Sequence, residues 1–122
     1  MQVVTIRAGS VFVALVNCLV LPVAQIDAQT QAAMNAQARA DFVQADAQLN
    51  KTYEALLKKL PDAEGKEKLK QSQRAWLAFR DAEAAFAADE ARGGTMAPTL
   101  RYATMTELTE QRTKQLKTRH TD

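Results

Sequence analysis

The sequence has little of what most catalytic chemistry is built from. It holds one cysteine and one histidine, and its only serines are Ser10 and Ser72. A nucleophile–base pair has almost nothing to form from. With 4 glycines, 3 prolines and 6% aromatics, a sheet protein is poorly served. Much of the 47% apolar content is alanine, the best helix former and a weak sheet former. Lysine and arginine exceed aspartate and glutamate by only 2, so neither a nucleic-acid surface nor an acidic tail is indicated. No glycine-rich loop stands between a strand and a helix, so no phosphate cradle is expected. The longest apolar run, from Val11 to Val23, covers 13 residues and is broken by Asn17 and Pro22. That is short of the ~20 residues a bilayer span needs.

What is there begins with that run. Arg7 is the only early charge, and small residues follow the apolar stretch. This is the layout of a secretory signal peptide over residues 1–28, with cleavage after Ala28. Cys18 lies within the apolar run and leaves with it. The processed chain, 29–122, is then one domain free of disulfides, with a periplasmic or secreted address and no stable membrane span.

From Gln29 to Leu60 there is no glycine or proline. Met34, Ala38, Phe42, Ala45, Leu49, Tyr53, Leu56 and Leu60 recur at steps of three and four, as one stripe of a long amphipathic helix. Thr30 is placed as its N-cap, and Pro61 ends it. A second helix runs from Lys66, or from Asp62, to Ala91. One of its rows is Leu69, Ser72, Trp76, Phe79, Glu83 and Phe86; beside it lie Gln73, Trp76, Leu77, Arg80, Ala84 and Ala87. Gly93 and Gly94 terminate it. Pro98 suits the first turn of a third helix, which turns Leu100, Thr104, Leu108, Gln111, Gln115 and Leu116 inward. The expected fold is all-α: a long antiparallel helical hairpin with a third helix packed against it.

In such a hairpin, facing positions of the first two helices pair Tyr53 with Gln73, Asn50 with Trp76, and Asp46 with Arg80. The Arg80 stem can lie along Trp76 and its fork can grip Asp46 at two points. Gln73 can bond the Tyr53 hydroxyl, and Asn50 the same network. These residues form either a structural polar row or a ligand-contacting one, and the structural reading is preferred because buried polar groups satisfy one another.

Three blocks add a resemblance. Asp46, Leu49, Asn50 and Tyr53 give D-x-x-LN-x-x-Y; Gln73, Trp76, Phe79, Arg80 and Asp81 give Q-x-x-W-x-x-F-R-D; Leu108, Thr109, Arg112 and Leu116 give LT-x-x-R-x-x-x-L. In this order they resemble the lysozyme-inhibitor LprI-like N-terminal family of small, exported, helical bacterial proteins, over about Thr30 to Leu116. The resemblance adds Arg112 to the polar row. It also implies cysteines where this chain has Gln37, Ala84 and Thr104, a joint loss that fits a branch without disulfides.

The resemblance implies a non-catalytic binding protein of the cell envelope, with lysozyme or another envelope protein as partner. The alternative is a structural or stress-related periplasmic protein with no lysozyme target. C-type lysozymes are strongly basic, yet the processed chain stays at +2, since Arg7 and Asp27 leave together. Asp81, Glu83, Asp89 and Glu90 offer a local acidic cluster, here read as a solvated helix face. The candidate partner-binding loop carries Arg92, Thr95, Met96, Arg101 and Tyr102. No cofactor is expected. Met34, Met96 and Met105 with His120 lack the local spacing of a metal set.

Overall fold

The computed structural model describes residues 23–119. The expected signal-peptide core up to Pro22, Cys18 and His120 lie outside the described residues. Three helices account for nearly all the rest: α1 (Val23–Lys59), α2 (Ala63–Ala88) and α3 (Ala97–Thr118), with a 3-10 turn over Asp89–Ala91. There is no strand among the described residues.

Helix α1 begins seven residues before the expected cap. It passes through Thr30 without a break, because the alanine- and glutamine-rich stretch after Pro22 contains nothing that opposes a helix. Pro61 ends it as expected. Asp62 then caps α2, its carboxylate accepting from the Gly65 amide at 2.6 Å. That satisfies one of the orphan donors of the first turn. At the other end Gly93 takes a φ of 77°, open to glycine at no steric cost. Pro98 sits in the first turn of α3, where its missing donor is harmless.

Side-chain pairings set the directions. Asn35 meets Thr99, and Phe42 meets Tyr102, so α1 and α3 run parallel. Asp46 meets Arg80 and Gln73 meets Arg112, so α2 runs antiparallel to both. The hairpin and its third helix are therefore present, with one refinement. Helix α3 packs closely along both neighbours, whereas α1 and α2 face each other at longer range, bridged by long side chains such as Arg80.

The core is a cluster of Leu49, Leu56, Leu69 and Leu116, with Tyr53, Leu57, Leu60 and Trp76 packed against it. The α1 stripe is placed as expected from Ala38 to Leu60, although Met34 is exposed. On α2 the inward row is Leu69, Gln73, Arg80 and Ala84. Phe79 and Phe86, from the other of the two adjacent rows, face solvent. The reason lies in α3: close approach favours the alanine and long-stemmed side of α2 over its phenylalanine side. On α3 the buried strip is Met105, Thr109, Arg112, Thr113 and Leu116. Leu100, Thr104 and Leu108 are only half-buried, and Gln111 and Gln115 are exposed. Because α3 contacts two helices, its strip is centred one residue further along and is filled by small threonines. Thr113 donates its hydroxyl to the Thr109 carbonyl at 3.0 Å. The Thr109 hydroxyl itself is buried with no hydrogen-bond partner.

Candidate functional site

Two regions collect the residues that the sequence singles out. In the first, Trp76 stands between two buried guanidiniums, that of Arg80 at 5.3 Å and that of Arg112 at 5.9 Å from the ring centre. Both arginines are only 6% exposed. The negative face of the indole ring is favourable to each cation, so the aromatic acts as a spacer between two like charges.

The two cations are held differently. Arg80 divides its fork. Its Nε and Nη2 both reach Oδ1 of Asp81 at 3.0 Å, and its Nη1 reaches Oδ1 of Asp46 at 3.1 Å. The expected two-point grip on Asp46 is thus replaced by a three-way arrangement, because the neighbouring Asp81 on the same helix is within easier reach. The Arg80 guanidinium also lies 5.1 Å from the Phe42 ring centre. Asn50 donates to the second oxygen of Asp46 at 3.4 Å.

Arg112 has no carboxylate within ion-pair distance among the described residues. Its Nε donates to Oε1 of Gln73 at 3.1 Å, its Nη2 to the Ser72 hydroxyl at 2.9 Å, and its Nη1 to Oε1 of Gln115 at 3.3 Å. Burial, and then the positive charge of Arg119, hold its pKa below the usual arginine value. Gln73 therefore faces Arg112 and not Tyr53. Tyr53 packs on the leucine cluster and, with Asn50, Leu57, Gln73 and Leu77, lines a shallow groove of about 410 Å³ between α1 and α2. Every member of the polar row is spent on another member or on the core, which is the signature of a helix clamp.

The second region is the loop. Arg92 closes on Asp89 with two bonds of 2.7 and 2.6 Å, and this contact raises its pKa above the ordinary value. The Thr95 carbonyl accepts from Asn35 Nδ2 at 3.2 Å. Asn35 also accepts from Thr99, and Gln31 donates to both Asn35 and Thr99 at 3.1 and 3.2 Å. The loop is thus tied to α1. Met96 projects outward. Tyr102 lies against Phe42, ring centres 5.9 Å apart. Both line an open cavity of about 540 Å³ with Arg101, Pro98, Met105 and Ala88.

The sequence reading missed the Gln31–Asn35–Thr99 cluster. Its signal was present: two amides one turn apart continue the inward stripe of α1 beyond Ala38. It also missed the roles of Ser72 and Gln115. Ser72 is the sole serine of the described residues, and its hydroxyl is engaged by Arg112, not by a base. Among the described residues no group of three or more histidine, cysteine, aspartate or glutamate side chains is placed to hold a metal ion. No described helix is long and apolar enough to cross a membrane.

Comparison with known proteins places the sequence in a family. The model of the family described as "Lysozyme inhibitor LprI" matches residues 23–116, which include all three helices almost to the end of α3. An uncharacterized protein of Rhizobium meliloti (strain 1021) is 40% identical over 102 residues, covering 74% of this chain and 73% of its own. No solved structure matches.

Proposed function

Since the chain belongs to the lysozyme inhibitor LprI family, we propose that it is an exported, non-catalytic binding protein of the cell envelope that engages a lysozyme-type enzyme. The observation that carries this reading is the extent of the match: it takes in α1, α2 and nearly all of α3, with the Arg80, Trp76 and Arg112 positions. An inhibitor needs a rigid shape more than reactive groups, and the clamp supplies rigidity from residues that would otherwise suggest chemistry. Export rests on the leader pattern of residues 1–28. Val23, Ala24, Gln25, Asp27, Ala28 and Gln29 are exposed. Gln31, two residues further on, reaches Thr99 of α3 at 3.2 Å. Cleavage after Ala28 would leave the packed part of α1 whole.

The competing reading is a structural or stress-related periplasmic protein. The net charge of +2 favours it, since a basic chain is not drawn to a basic enzyme. A turbidity assay separates the two. The processed chain, Gln29 to Asp122, is titrated into c-type and g-type lysozymes acting on peptidoglycan-rich cells. Saturable inhibition near one-to-one stoichiometry is the expected result. No inhibition of either class by protein with a helical circular dichroism spectrum would overturn the lysozyme reading and leave the structural one.

A further inference from the structure

The outer face of α2 exposes two phenylalanines among acidic residues. Phe79 is 51% exposed and Phe86 74%. Seven residues apart, they stand on one side of the helix at a spacing of ~10 Å. Glu83 lies between them and Glu90 one turn beyond, both exposed. Neither glutamate has an ion-pair partner among the described residues, whereas Asp81 is held by Arg80 and Asp89 by Arg92. From Ala75 to Ala91 the only cation is Arg80, and it is buried. The positive balance of the chain resides elsewhere, much of it in Arg101, Lys114, Lys117 and Arg119 of α3 and its end. A locally acidic face with two bare phenylalanines therefore interrupts a mildly basic protein.

We infer that the face formed by Phe79, Glu83 and Phe86 of α2 and Glu90 of the following 3-10 turn is the surface on which a cationic protein docks, namely the lysozyme-type enzyme of the preceding section; the inference rests on that reading. The phenylalanines would enter apolar recesses of the partner, and the two free glutamates would meet its lysines or arginines at the rim. Aromatic anchors with a charged border match the anatomy of a tight interface. This placement also removes the net-charge objection, because steering depends on the field at the contacting face and not on the sum over the chain. The loop end fits a basic partner less well, since Arg92 and Arg101 flank it.

The test measures binding of the processed chain to c-type lysozyme by titration calorimetry at low and physiological salt, and self-association by sedimentation velocity. The variants are Phe79→Ser with Phe86→Ser, Glu83→Lys with Glu90→Lys, and Arg101→Ala as a loop control. All five positions are exposed, so unchanged melting temperatures are expected. Each α2 pair should weaken binding at least tenfold, the glutamate pair should also flatten the salt dependence, and the loop control should bind as the parent does. If the parent binds and both α2 pairs bind equally well, the docking face is refuted while the lysozyme reading survives. If the parent binds neither this c-type enzyme nor a g-type lysozyme, the reading itself falls, and the inference with it. A parent dimer that the phenylalanine pair dissolves would make this face a contact between two copies of the chain, which also overturns the inference.

Discussion

Removing either partner of the Asp46–Arg80 contact should have unequal effects, and the inequality is calculable. Arg80 is 8% exposed in its side chain and Asp46 34%. In Asp46→Ala, Arg80 keeps both bonds to Asp81 at 3.0 Å and its position over Phe42 and Trp76. The loss is one charge-assisted bond to a partly wetted carboxylate, ~1 kcal/mol. In Arg80→Ala, two aromatic contacts, the buried stem and both carboxylate contacts disappear. A cost of ~3–4 kcal/mol follows, mostly from packing. The orphaned carboxylates add little, because Asp46 and Asp81 are 34% and 53% exposed and can hydrate. Arg80→Met retains most of the stem and should therefore cost less than Arg80→Ala, ~1–2 kcal/mol. Coupling in the double variant should be ~1 kcal/mol. Urea unfolding followed by the fluorescence of Trp76, the single tryptophan, measures all four. Coupling below ~0.3 kcal/mol, or an Asp46→Ala cost equal to that of Arg80→Ala, would refute the divided-fork account.

Other expectations follow from single contacts. Asp62→Ala should cost ~1 kcal/mol in thermal or urea unfolding through loss of the α2 cap. Gly93→Ala should cost ~1 kcal/mol for backbone reasons alone, since an added methyl meets nothing within 4 Å while φ is +77°. Trp76→Ala should cost ~3 kcal/mol, at the low end for a tryptophan because the ring is half-buried; circular dichroism melting reads it. Arg112 binds its proton less tightly folded than unfolded, so its charge opposes folding at every pH below the guanidinium range, and that opposition fades only as the range is approached.

The sequence made the helices legible and the faces only partly so. Periodicity, Pro61 and the Gly93–Gly94 pair mark three helices because these signals act locally. Asp46 opposite Arg80 was legible because a short turn fixes register. The α3 face was misplaced by one residue, whereas the Gln73 and Arg80 row of α2 does turn toward its neighbours. Phe79 and Phe86 are exposed while Gln73, Arg80 and Arg112 are buried, and no scale of hydrophobicity selects that outcome. It depends on how closely α3 can approach, a property of two helices together. The rows also offered no way to see that Arg112 would draw on Ser72, Gln73 and Gln115, since those oxygens come from two different helices.

The parallel seam between α1 and α3 has a consequence for the order of events in the life of the chain. The tightest packing joins the first helix to the last, and Leu116, near the end of α3, is with Leu49 one of the two leucines fully buried among the described residues. An emerging polypeptide that lacks α3 has two helices that scarcely touch and a leucine cluster short of a member. It cannot settle until residue 116 or so is free. Contacts between sequence-distant segments also slow folding. A chain threaded through a membrane from its N-terminus would thus stay pliable during the whole passage, and would set into shape only once its last helix has arrived.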